Sequence, residues 1–94
     1  MNSKTTDRFW KCYSALPDAI KRQAKESYKL FIANPYHPGL HFKRVHSRRP
    51  IFSVRITMNY RALGILQSND IIWFWIGSHL EYEKLLKQLN KGGV

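Results

Sequence analysis

From Phe9 the apolar residues recur at helical spacing. Phe9, Tyr13 and Leu16 share one face, with Trp10 beside them and Asp7 as an early acidic or capping residue. Pro17 suits the first turn of a second helix, in which Ile20, Ala24, Tyr28 and Phe31 form the apolar stripe while Lys21, Arg22 and Lys25 face outward. Asn34-Pro35 ends that helix. So short a connection predicts an antiparallel helical hairpin. The next stretch, Pro35-Tyr36-His37-Pro38-Gly39, continues neither as helix nor as central strand.

From Leu40 onward the signal is β. In residues 51–57, Phe52, Val54 and Ile56 alternate with Ser53, Arg55 and Thr57, which predicts one core face and one wet or functional face. A second strand is expected from Tyr60 to Leu66 after a turn at Met58-Asn59, and a third from Ile71 to Ile76 after Gln67-Ser68-Asn69-Asp70. The third is apolar on both faces, as a central strand covered from both sides would be. The hairpin can cover one side. A closing helix with Tyr82, Leu85, Leu86 and Leu89 on one stripe can cover the other, before Gly92-Gly93 frays. The expected fold class is α+β: an N-terminal helical hairpin on a small, mostly antiparallel sheet, followed by a short C-terminal helix.

Composition narrows the picture. A chain of 94 residues has room for a single domain, 1–94, and 44% hydrophobic with 14% aromatic content suffices for a real core. Cys12 is alone, so the chain can form neither an internal disulfide nor a cysteine-based zinc site, which fits a reducing cytoplasm. No apolar run follows Met1 to Arg8, so neither a signal peptide nor a membrane span is expected. Charge adds more. Lys+Arg 16 against Asp+Glu 6 gives a formal charge of +10. Residues 27–69 contain no acidic residue, yet carry Lys29, Lys43, Arg44, Arg48, Arg49, Arg55 and Arg61. A folded surface of this kind wants a polyanion, and nucleic acid comes first.

Pairing Ile56 with Tyr60 across a three-residue turn sets Arg55 opposite Arg61. A two-residue turn would set Arg61 against Ile56 on the apolar face, so the first register is expected. Directly opposed like charges are destabilising. They become useful when an anion such as phosphate lies between them; the alternative is two side chains diverging into solvent. The third strand, antiparallel to the second, returns Gly77 beside Arg61 and brings Ser78, His79 and Tyr82 toward the pair. Ser78-His79-Leu80-Glu81 fits a capping box that starts the last helix at His79. His79 and Tyr82 are then neighbours on its first turn, unless His79 merely follows a cap and Tyr82 packs under the sheet.

RNA cleavage without a metal needs a proton acceptor for the 2′-hydroxyl, a donor for the leaving oxygen and fixed positive charge on the phosphorane. Arg55, Arg61, His79 and Tyr82 are the candidate set. No metal is expected, since there is no acidic cluster and His37-x-x-x-His41 is broken by Pro38 and Gly39. Nor is there a glycine-rich phosphate loop or a triad around Ser14 or Ser27. Lys43, Arg44, Arg48 and Arg49 are candidates for holding an RNA phosphate backbone. Tyr36, Phe42 and Phe52 can stack bases, although Phe42 and Phe52 fit apolar strand positions better.

The order of these parts is helical hairpin with a Leu16-Pro17 junction, basic strand, Phe52-Ser53-Val54-Arg55-Ile56, Asn59-Tyr60-Arg61-Ala62-Leu63, and Ile76-Gly77-Ser78-His79 before a final helix. Over nearly its whole length the chain resembles the RelE/ParE superfamily of bacterial toxins. The resemblance implies a RelE-like, microbial-ribonuclease-like fold. For the RelE branch it implies the toxin of a toxin–antitoxin pair, a ribosome-dependent endoribonuclease that cleaves messenger RNA in the ribosomal A site without a cofactor and so blocks translation. It implies a cognate antitoxin, often acidic, that wraps the basic toxin. By resemblance, Arg61 matches the strand arginine that supports the transition-state phosphate, Arg55 falls where RelE-like members place a catalytic lysine, and Ser53 where they place another. His79 lies where related members carry an arginine or histidine; Tyr82 is closer to it than the tyrosine often found near the carboxyl end, and no tyrosine follows. Two alternatives stay open: the ParE branch, which inhibits DNA gyrase as a binding protein, and a noncatalytic RNA- or ribosome-binding module.

Overall fold

The computed structural model describes residues 1–92. The elements run β1 (Asn2–Thr5), α1 (Asp7–Ser14), α2 (Asp18–Ala33), a 3-10 turn (Pro38–Leu40), β2 (Lys43–Arg44), β3 (Ile51–Thr57), β4 (Tyr60–Gln67), β5 (Asp70–Ser78) and α3 (His79–Gly92). They form the expected α+β arrangement, a five-stranded sheet in the order β1-β5-β4-β3-β2 with helices on both faces. Thr6 caps α1 by accepting a hydrogen bond from the Phe9 amide, leaving Asp7 as the acidic residue of the first turn. Pro17 is the cap of α2 rather than part of its first turn. Gly92 still belongs to α3; Gly93, where fraying was also expected, lies outside the described residues.

The sequence pattern gave no sign of β1. Asn2–Thr5 carries no apolar alternation, and it becomes a strand only by pairing in parallel with β5, from Asn2 opposite Asp70 to Thr5 opposite Trp73. Lys4 reinforces the pairing with a 3.1 Å ion pair to Asp70. Adding β1 puts β4 at the middle of the sheet and β5 next to it, covered on both faces as its apolar run required.

Two cores result. Between the sheet and the N-terminal helices lie Phe31, Leu40, Val54, Ala62, Trp73 and Ile76 among others. The buried positions of α2 are Ala24, Ser27 and Phe31, so Tyr28, expected on the core stripe, stands at the surface. Beneath α3 lie Ile51, Leu63, Trp75 and Tyr82 with Leu85, Leu86 and Leu89. The α3 face of β3 is therefore dry over most of its length: Ser53, expected on the wet face, is 2% exposed.

The β3–β4 hairpin reconciles two competing registers. Its turn is two residues, Met58-Asn59, with Thr57 opposite Tyr60; a bulge at Ile56 absorbs the extra residue, so Arg55 still faces Arg61. The Ile56–Tyr60 pairing does not occur, but the arginine pair that it was meant to create does.

Candidate functional site

Arg61 and Leu63 alternate on β4, and Leu63 belongs to the core under α3, so the arginine pair projects on the α3 face at the corner where that helix begins. On the other side of β4, Tyr60 faces Ser78 and Arg61 faces Gly77. Gly77 is required by close approach, since a Cβ there would sit 2.5 Å from the Trp75 ring. The capping box forms: the Glu81 amide donates to Ser78 Oγ at 3.2 Å, and Ser78 Oγ donates to the Glu81 carboxylate at 2.9 Å.

Two contacts tie the β3–β4 turn into this corner. The His79 amide donates to the Asn59 carbonyl at 2.6 Å. Arg61 Nη1 donates to the carbonyls of Thr57, Tyr60 and Met58 at 2.6, 2.9 and 3.1 Å. One end of the guanidinium is thereby fixed to backbone, while its Nε and Nη2 find no hydrogen-bond partner among the described residues. Burial, and next the charge of Arg55, push the Arg61 pKa down, opposed by Tyr82 and Glu83. Such a site has unsatisfied demand for negative charge.

His79 stands on the first turn of α3 with Nε2 3.4 Å from the Glu83 carboxylate and its ring 5.6 Å from that of Tyr82. Tyr82 is 6% exposed and packs under the sheet with the core beneath α3. Arg55, Arg61 and His79 thus share one corner, with Tyr82 behind them.

Sequence reasoning weighed His41 only as a metal ligand. It lies beside the site: Arg55 Nη1 is 3.4 Å from His41 Nε2, and His41 holds a left-handed backbone at φ 47°. A non-glycine residue in that conformation just after Pro38-Gly39-Leu40 leaves no readable trace in a single sequence. Glu83, on His79, escaped notice for the same reason as any exposed helical glutamate. Among the described residues no group of three or more metal-ligating side chains exists.

The four cations proposed for the phosphate backbone do not make a single patch. β2 sends its two residues to opposite faces, Lys43 opposite Ser53 on the face of Arg55, and Arg44 opposite Phe52. Arg44 Nε donates to the His46 carbonyl, and the Arg48 and Arg49 amides donate to His46 Nδ1 at 3.0 and 2.9 Å. That fixes the proton on Nε2, which donates to the Leu89 carbonyl at 3.0 Å. Buried His46 therefore moors the basic bend to α3. Phe42 and Phe52 stack on one another at 4.9 Å, partly buried, and Tyr36 remains exposed.

A family model described as ParE-like toxin domain matches residues 18–84. The fold is similar to that of RelE in a RelB–RelE antitoxin–toxin complex from Methanococcus jannaschii, at TM-score 0.72 and 16% identity over 87% of this chain and 96% of that one. It is also similar to YafQ from E. coli, at TM-score 0.70 and 13% identity over 86% and 96%, and to the RelBE2 toxin–antitoxin complex from Mycobacterium tuberculosis, at 0.63 and 18% over 83% and 96%. No curated protein matches the chain.

Proposed function

Because the chain belongs to the ParE-like toxin domain family, we propose that it is the toxin of a toxin–antitoxin pair and acts as a metal-independent, ribosome-dependent messenger-RNA endoribonuclease. The observation that carries this reading is the arginine pair, directly opposed on β3 and β4 and set beside His79. Like charges on directly opposed residues repel, and a phosphodiester bound between them would relieve that repulsion.

In the proposed reaction, His79 accepts the 2′-hydroxyl proton, with Glu83 orienting its ring. The 2′-oxygen bonds to phosphorus, the P–O5′ bond breaks to leave a 2′,3′-cyclic phosphate, and the departing 5′-oxygen takes its proton from water. Arg61 and Arg55 stabilise the charge that develops on the phosphorane oxygens. Arg61 meets it through Nε and Nη2, its Nη1 being held by the turn. His41 positions Arg55 by accepting its hydrogen bond. Buried Tyr82 packs in the core behind the corner rather than meeting the substrate. Lys43, on the face of Arg55, extends the phosphate track toward the bend that holds Arg48 and Arg49. A cognate antitoxin of acidic character matches the formal charge of +10.

A second reading is favoured by the burial of Tyr82, which leaves the corner without an accessible hydroxyl acid. In that reading the protein inhibits DNA gyrase by binding alone. Inducible expression followed by mapping of RNA ends separates the two. Ends at ribosome-occupied codons, absent in Arg61→Ala, support the nuclease; intact messenger RNA with broken or over-supercoiled chromosomes would reject it.

A further inference from the structure

On the face of the sheet away from the arginine corner, a groove of about 690 Å³ lies between β1 and the two N-terminal helices. Its walls are aromatic, from Phe9, Trp10, Tyr13, Tyr28 and Trp73, with Ala24 as its only aliphatic lining residue among the described residues. Lys4, Lys25 and Lys29 also line it. Lys4 is paired with Asp70 and Lys29 with Glu26, while Lys25 has no ion-pair partner among the described residues.

The aromatic wall is held in place before any ligand arrives. The Trp10 ring meets Phe9 and Tyr13 edge to face at 5.1 and 5.3 Å, and its Nε1 donates to Thr5 Oγ1 at 2.9 Å. Even so, Trp10 is 51% exposed and Tyr28 45%. Two further polar groups on groove residues, Ser3 Oγ and Trp73 Nε1, are buried with no hydrogen-bond partner among the described residues, and Trp73 is only 6% exposed. Buried donors of this kind are costly without an acceptor.

We propose that this groove is a second nucleic-acid site that takes an unpaired base of single-stranded RNA, stacked against Trp10 and Tyr28 with a flanking phosphate on Lys25. Planar walls suit a planar ligand, and base-on-aromatic stacking beside lysines is how sequence-tolerant single-strand binding works. The lysines that share the lining supply the positive charge that a phosphate backbone requires beside a stacked base. The groove occupies the face of the sheet opposite Arg55 and Arg61, so the assignment holds whether or not RNA is cut there.

The test is fluorescence anisotropy with a short labelled oligoadenylate and an abasic oligonucleotide of equal length, in an Arg61→Ala background that prevents cleavage. Trp10→Ala and Tyr28→Ala should each weaken oligoadenylate binding about tenfold. Trp10→Phe should keep most of the affinity, and the abasic strand should bind the parent as weakly as oligoadenylate binds the variants. Both alanine changes are at exposed positions, and circular dichroism checks the fold; if Trp10→Ala unfolds, Tyr28→Ala alone decides. Equal affinity for the abasic strand, or unchanged binding by Tyr28→Ala, overturns the proposal. Displacement of the RNA by an acidic peptide that leaves the arginine corner free gives the groove to a protein partner instead.

Discussion

The arginine corner and the aromatic groove sit on opposite faces of one sheet and solve different problems. In the corner, cationic groups are placed by backbone: a bulge sets Arg55 opposite Arg61, and three turn carbonyls hold Arg61 Nη1. In the groove, the placed groups are rings, and the cations are lysines on flexible stems. A rigid planar guanidinium suits stabilisation of one charge at one point, whereas a lysine beside an aromatic wall suits holding a strand in many registers. The contrast predicts that corner substitutions act on rate and groove substitutions on affinity.

The largest effect should come from Arg61→Ala, which in the proposed reaction removes a fixed donor from the transition state and should lower cleavage by about 10²–10³-fold. A single-turnover rate within a few-fold of the parent would take Arg61 out of the chemistry. His79→Ala should follow at about 10²-fold on the same rate with ribosome affinity unchanged. Because the His79–Glu83 pair is exposed, melting temperature should barely move. If affinity falls and rate does not, His79 is a contact residue and the corner works like the groove.

His41→Asn keeps a residue that tolerates positive φ while removing the imidazole from Arg55. It should cost about tenfold in rate, the worth of roughly one hydrogen bond, without loss of stability. Gly77→Ala tests the floor of the corner through folding, because its Cβ would collide with the Trp75 ring. Chemical denaturation should report a loss of about 1–3 kcal/mol. A neutral result would mean that Trp75 moves freely and that the floor is soft.

The smallest effect belongs to the groove side. Lys4, followed by Asn2, holds the Asp70 carboxyl below its usual pKa by hydrogen bonding. A depressed carboxylate pKa contributes stability above its unfolded value, and that contribution is lost as pH falls through the folded one. Asp70→Asn should therefore lower the melting temperature slightly near neutrality, with the difference from the parent beginning to shrink only below about pH 4 and vanishing once the pH has fallen past the depressed folded value. A gap that persists in acid would show that β1 is not tethered by this charge.

Much of this was written locally. The 3.6-residue stripes, the two-residue alternation of 51–57, the apolar run of 71–76 and the Ser78–Glu81 box each follow from neighbours a few positions apart. Those same patterns brought Arg55, Arg61 and His79 to one corner, because antiparallel strands joined by short turns leave few registers open. Tertiary structure decided what depends on partners distant in the chain. It made Asn2–Thr5 a strand by lending it the edge of β5, and turned Tyr28 outward when Ser27 took the buried position. It also folded Tyr82 beneath the sheet, seated His41 against Arg55 and anchored His46 on Leu89. The reason is physical: periodicity encodes which face of an element is apolar, whereas the polar group that meets another across the fold is chosen only when the surfaces close and each buried donor must find its acceptor.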